Sequence, residues 1–176
     1  MNYSEFVHSR FKDGGRIIGD LQGMTAEASG AAISRLHAAV GMVGEIRELR
    51  DTTGAKNTIE ELGDFLFYLQ AYANTLEFAA WLNLTSDKIT IEELDIAAHT
   101  LLDLAKKETF YCKAFDAPKA GQTTALLWAL VNTYADLATG LFVGEIMDEN
   151  QARLEERFPD GYSNAAAQAR ADKAGE

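Results

Sequence analysis

Glu45 and Glu48 stand three residues apart, and so do Glu61 and Asp64, within HAAVGMVGEIRELRDTTGAKNTIEELGDFLFYL, His37 to Leu69. On a helix, side chains at i and i+3 project from one face, so each pair presents its two carboxylates together. The polar break TTGAKN between the pairs has the length of a tight connection between antiparallel helices. Closing that hairpin brings four carboxylates toward one spot, where they repel strongly unless compensated. A hard divalent cation is the simplest physical reason to gather them, and an all-oxygen ligand set suits Mg²⁺ or Mn²⁺. A di-iron bundle calls for Glu-x-x-His on two helices, and neither pair supplies the histidine.

The elements that must carry these acids are amphipathic helices. Thr25 is placed to cap a first long helix running to about Arg50. Leu36, Ala39, Val40, Val43 and Ile46 recur at three- and four-residue steps as its buried face, with His37, Gly41, Glu45 and Glu48 on the neighbouring stripe. Asn57 or Thr58 caps the second helix, placing Glu60 and Glu61 in its first turn. Leu62, Leu66, Leu69, Ala73 and Leu76 form its core stripe, and Glu61, Asp64, Tyr68 and Tyr72 the adjacent one, before the pattern fades near Trp81-Leu82. The capping-box pattern Thr90-x-x-Glu93 opens a third helix over about 91–113. Ala117-Pro118 with Gly121 separates it from a strongly apolar fourth helix over about 122–147. A further helical stretch to about Arg157, a turn at Pro159-Asp160-Gly161 and a tail complete the chain. Ahead of the first helix, Phe6, Val7 and Phe11 suggest a short docking helix that Gly14-Gly15 ends. The pattern predicts one all-α domain over 1–176, a four-helix up-and-down bundle over about 25–157 with a short C-terminal helix and tail.

Composition narrows the function classes. Two prolines in 176 residues permit long helices. A net charge of −11 argues against nucleic acid or an anionic membrane as a partner. The single cysteine, Cys112, forms no internal disulfide and fits a reducing cytoplasm. The first fifteen residues lack an apolar core of signal-peptide length, and no 18-residue apolar run marks a membrane span.

Mg²⁺ sites with few carboxylates usually complete their shell with water and substrate phosphates. Lys56, Lys106, Lys107, Lys113, Arg153 and Arg157 are the candidates for further phosphate charge. There is no Walker-type glycine loop and no G-x-S-x-G elbow. His37, two turns before the acids, lines the pocket mouth or serves as a core or capping histidine. Cys112 is either a small core residue or a thiol activated by nearby lysines. Glu5-x-x-His8 has metal-ligand spacing but stands alone and reads as a surface turn.

GEIRELRD followed by EELGDFLFYL resembles the MazG-like all-α nucleoside triphosphate pyrophosphohydrolases, whose signature is EExxE, a spacer and ExxD. Glu45 and Glu48 match the first motif in a GExxE form, with Gly44 in place of its first glutamate, and Glu61 and Asp64 match the second. LHAAVGMVGE and LLDLAKKETFY resemble further segments of the phage-type members. DENQARLEERFPDGYS resembles their closing N-x-x-K-L-x-x-R-Y-P-x-G-F motif, with Arg153, Phe158 and Tyr162 as substitutions. The resemblance covers most of 21–172. It implies hydrolysis of (deoxy)nucleoside triphosphates to monophosphate and pyrophosphate for nucleotide-pool control. Mg²⁺ would be held by Glu45, Glu48, Glu61 and Asp64, with Glu48 or Glu61 orienting the water. It further implies nucleotide or phosphate contacts from Asn150, Arg153, Lys106 and Lys107, with His37, Lys56 and Tyr68 as additional candidates, in a homodimer or homotetramer. The alternatives are a narrow-specificity dUTPase-like or dCTPase-like member and a non-catalytic helical interaction protein.

Overall fold

Alanine and leucine recurring at three- and four-residue steps build helices through the described residues. The computed structural model describes residues 12–76 and 89–169. The docking helix expected around Phe6, Val7 and Phe11, the Glu5-x-x-His8 pair and most of the loop after the second helix lie outside the described residues. The second helix, expected to fade near Trp81-Leu82, instead ends at Ala73, with Asn74 as its C-cap and Thr75 Oγ1 donating to the Tyr72 carbonyl at 2.7 Å. The helices are α1 (Gly14–Gln22), α2 (Ala26–Asp51), α3 (Ala55–Ala73), α4 (Ile91–Tyr111), α5 (Ala117–Thr139), α6 (Val143–Arg157) and α7 (Asn164–Ala169). No strand occurs among the described residues, so the fold is all-α. Among them, too, no single helix is long and apolar enough to cross a membrane.

Helix α2 packs along both α3 and α4, α5 closes against α3 and α4, and α6 lies on α3. Met42, Ile46, Leu62, Phe65, Leu66, Leu69, Leu94, Leu101, Leu127 and Val131 meet in one shared core. Each fully buried side chain of this kind contributes about 1.5–3 kcal/mol relative to exposure.

Local chemistry sets the helix ends. Thr25 Oγ1 accepts from Ala28 N–H at 3.2 Å, the cap its position predicts. Glu93 accepts from the Thr90 N–H at 2.8 Å at the start of α4. Elsewhere the ends differ from the sequence reading. Gly14-Gly15 opens α1, and Asp13 caps it by accepting from Arg16 N–H at 3.0 Å. Helix α3 starts at Ala55, ahead of Asn57 and Thr58, and Thr58 instead bonds back to the Gly54 carbonyl at 3.1 Å. Glu60 and Glu61 therefore fall in its second turn. Pro118 sits inside the first turn of α5, where its missing N–H costs nothing, and Asp116 is the cap. The expected single helix over 122–147 divides at Gly140, and a bend of 85° turns the chain into α6. Glu145 secures the new start by accepting from Phe142 N–H at 2.8 Å. Cys112 is no core residue: it is exposed, at φ +50°, where it terminates α4.

Of the buried face expected for α2, Ala39 and Ile46 are fully buried and Leu36 and Val43 pack partly buried against the core, whereas Val40 and, on α5, Leu137 are exposed. The inward face also takes in Arg35, Ala38, Met42 and Leu49. Arg35 is buried and pairs with buried Glu108 through Nε at 2.8 Å and Nη2 at 2.6 Å. Its Nη1 donates to the Thr75 carbonyl at 3.3 Å, and its guanidinium stacks 4.0 Å from the Phe115 ring centroid. Tyr72 also lies in this core rather than on the acid stripe, and burial pushes its hydroxyl's pKa up, so it stays neutral.

A charge left alone at this depth is costly, whereas an apolar pair of similar volume is not. Glu108→Ala is expected to destabilise the protein by about 3–5 kcal/mol in urea unfolding. Arg35→Met with Glu108→Leu should restore most of that loss. A double variant as unstable as the single one would show that the pair contributes more than charge compensation.

Candidate functional site

The α2–α3 hairpin sets the level of the acids. Glu45 lies six residues before the end of α2 and Glu61 six residues after the start of α3. With equal rise along each helix, the two meet side by side when the hairpin folds back. Oxygen atoms of Glu45, Glu61 and Asp64 lie within 4.8 Å of one another, a group placed to hold a metal ion. Glu48 lines the same cavity without joining that three-oxygen group. The cavity encloses about 420 Å³. It is walled by α2, α3, α6 and the segment after α6, with His37, Tyr68, Arg157 and Tyr162 around the acids.

Two glycines allow this convergence. A Cβ on Gly41 would come within 2.5 Å of the Tyr68 ring, so α2 must be bare there for Tyr68 to lie over it. A Cβ on Gly63 would meet Asn150 Cβ at 2.9 Å and Nδ2 at 3.0 Å, so the bare backbone lets α6 approach α3. Through that approach Asn150 Nδ2 donates to Asp64 Oδ1 at 2.8 Å. Arg153 donates to the same oxygen through Nη2 and pairs with Glu60 through Nη1 at 2.5 Å. Glu60 and Asp64 are four residues apart on α3, so one guanidinium reaches both.

Burial first, and then the charges of Asp64, Glu48 and Glu61, push Glu45 up to about 8. It therefore keeps its proton at neutral pH and shares it with Glu61 in a hydrogen bond. Tyr68 is shifted upward too, by burial and then by Glu45 and Asp64, with Arg157 opposing, so its hydroxyl remains a donor. His37 packs edge-on against Tyr68, with ring centroids 5.9 Å apart.

Of the residues singled out from the sequence, the four acids, His37 and Tyr68 line this cavity, and Asn150 and Arg153 bind Asp64. Lys106 and Lys107 do not reach it. They lie on α4, which packs on α2 and α5 outside the cavity walls, and Lys107 pairs with Asp103 at 2.5 Å on its own helix. Lys56 is exposed in the first turn of α3 and is also outside the lining. Glu60 was not recognised in the sequence as part of this network, although its four-residue spacing from Asp64 is the signal for a shared arginine. Phe158 and Tyr162, 5.5 Å apart at the cavity edge, carried no signal beyond the tail motif. A larger cavity, of about 660 Å³ beside Arg35 and Phe115, has no acid among its described lining residues, and the Arg35 guanidinium is already matched by Glu108.

Because Glu45 binds its proton more tightly folded than unfolded, stability falls as pH rises from its ordinary range near 4.5 through about 8. In metal-free buffer the melting temperature should fall between pH 5.5 and 8.5, and Glu45→Gln should reduce that slope. Saturating Mg²⁺ should raise the melting temperature most at the upper end, where no proton has to leave. A slope unaffected by Glu45→Gln would mean that its carboxyl is not held in this way. No protein-family model, no curated protein and no solved structure matches the chain. The cavity's chemistry is accordingly read from its own residues and geometry.

Proposed function

We propose that the protein hydrolyses (deoxy)nucleoside triphosphates to the monophosphate and pyrophosphate in a Mg²⁺-dependent reaction, as a MazG-like pyrophosphohydrolase controlling nucleotide pools. The observation that carries this reading is the convergence of Glu45, Glu61 and Asp64, from two helices, in a cavity that also contains Arg157. The GExxE and ExxD motifs and the tail motif supply those same residues in family order. The shared core of α2, α3, α4 and α5 is consistent with the up-and-down bundle of that family in a single domain. Mn²⁺ is the alternative ion, and a homodimer or homotetramer the proposed assembly.

The donor set fits a hard cation: it is all oxygen, and the like charges that raise Glu45 are relieved by positive charge. Glu45, Glu61 and Asp64 would hold the ion, with Glu48 beside them. When bound, the ion supplies charge against the triphosphate and acidifies water. Asn150 and Arg153 fix the Asp64 carboxylate so that its orientation does not depend on the ligand. Glu45 would release its proton more readily with that positive charge beside it. Arg157 lines the same cavity, where its guanidinium would meet the phosphates. Glu48, outside the three-oxygen group, is the carboxylate left to orient the attacking water and take its proton. The water's oxygen bonds to the α-phosphorus, the bond from that phosphorus to the α,β-bridging oxygen breaks, and pyrophosphate leaves.

Incubation with Mg²⁺ and a panel of dNTPs and NTPs, with separation of the phosphorus products, tests this directly. Pyrophosphate and monophosphate should form in equal amounts, and Glu61→Gln should abolish both. Glu48→Gln should lower turnover by about 10²–10⁴-fold, the usual worth of a general base, while leaving Mg²⁺ affinity nearly unchanged. Orthophosphate as the first product, or no turnover of any nucleotide by folded protein, would sink the reading.

A further inference from the structure

A second depression adjoins the acid cavity. A groove of about 520 Å³ runs between α3 and α6, and Phe67, Leu154, Phe158 and Tyr162 border both spaces. The two spaces therefore adjoin, yet their chemistry differs. The acid cavity gathers carboxylates and Arg157, whereas no lysine or arginine is among the described residues lining the groove. Asp148 and Glu155 stand at its edge, so an anionic group is disfavoured there. Its walls are apolar and aromatic, with Leu66 at the base and Phe67 51% and Tyr162 75% exposed. Aromatic faces open to solvent beside a polar site suit a flat partner.

Two amides complete the groove. Gln70 on α3 donates through Nε2 to Asn74 Oδ1 at 2.7 Å, and Gln151 on α6 donates through Nε2 to Glu155 Oε1 at 2.7 Å. Each is oriented by a partner one turn along its own helix. An amide offers both donor and acceptor, the combination that matches the edge of a nitrogen heterocycle.

We propose that the groove between α3 and α6 is the base-binding end of the site, taking the planar heterocycle of a nucleoside triphosphate whose phosphates occupy the acid cavity. This rests on the pyrophosphohydrolase reading and adds to it the place where the base is recognised. Phe67 and Tyr162 provide the stacking surface, and Gln70 and Gln151 set the preference among bases. The anionic and neutral ends of the ligand are thereby sorted by two adjoining spaces of opposite character.

The experiment is calorimetric titration of the full chain in Mg²⁺ with α,β-imido analogues of dATP, dCTP, dGTP and dTTP, and with inorganic tripolyphosphate. The best analogue should bind at least about tenfold more tightly than tripolyphosphate, the scale of one base stacked on an aromatic ring. Phe67→Ala should remove about that factor from the analogue and less than about twofold from tripolyphosphate. Gln151→Trp, which fills the groove away from the acids, should do the same, and Gln151→Leu should reorder the four bases. Equal loss for both ligands, or no loss for either, would overturn the proposal. So would a change of oligomeric state in Phe67→Ala with base affinity intact, since the groove would then be covered by a second copy of the chain. Wild-type protein that hydrolyses nucleotides but binds tripolyphosphate as tightly as every analogue would overturn the groove assignment alone. Protein that neither binds nor hydrolyses them would overturn the reaction as well.

Discussion

Like charges brought within a few ångströms of one another are the constraint on which the rest of this structure depends. Glu45, Glu61 and Asp64 are held together by a hairpin whose two arms place them at one level, and burial deepens their repulsion. A chain free to relax would turn these side chains to solvent. This one cannot, because the residues that flank the acids are core residues: Met42 and Ile46 on α2, Leu62, Phe65 and Leu66 on α3. Rotating either helix to relieve the carboxylates would expose that face, at a cost of about 1.5–3 kcal/mol for each large side chain. The core therefore enforces the electrostatic strain, and Glu45 relieves part of it by keeping a proton.

Helix α6 supplies the other part of the relief. Its position depends on Gly63, since any side chain there would strike Asn150. Because α6 can come close, Asn150 and Arg153 reach Asp64, and Arg153 also reaches Glu60. The bend at Gly140 is part of the same arrangement: a helix continuing straight from α5 would carry these residues away from α3. A backbone feature ten residues from Asn150 thus governs the setting of a carboxylate on another helix.

The acids were legible in the sequence because helical periodicity is local, and a short polar break between two periodic stretches leaves little choice of topology. Thr25 and the Thr90–Glu93 cap were legible for the same reason. What could not be read were the consequences of contacts between distant residues. A buried arginine looks polar in any periodic pattern, so nothing near Arg35 shows that it faces inward; its partner Glu108 lies 73 positions away. Lys106 and Lys107 had suitable charge, but periodicity along α4 cannot say which helices wall the cavity. Gly41 falls on the acid stripe and Gly63 carries no signal, because the role of each is set across an interface, by Tyr68 and by Asn150. The division of α5 from α6 was missed because Gly140 interrupts an apolar run that otherwise reads as continuous.

The two ionic centres show why one is structural and the other is suited to a ligand. Arg35 and Glu108 carry one charge each, their bonds are bidentate, and both are buried, so the pair is complete in itself. At the acid cavity the balance is different: Glu45, Glu48, Glu61 and Asp64 line one space in which Arg157 is the arginine among the described lining residues, and Arg153 reaches Asp64 and Glu60 from beside it. Carboxylates outnumber guanidiniums there, and Glu45 answers the crowding by holding a proton up to about pH 8. The same principle makes the neighbouring groove, with Asp148 and Glu155 at its edge, unfavourable for an anion and leaves it to uncharged groups.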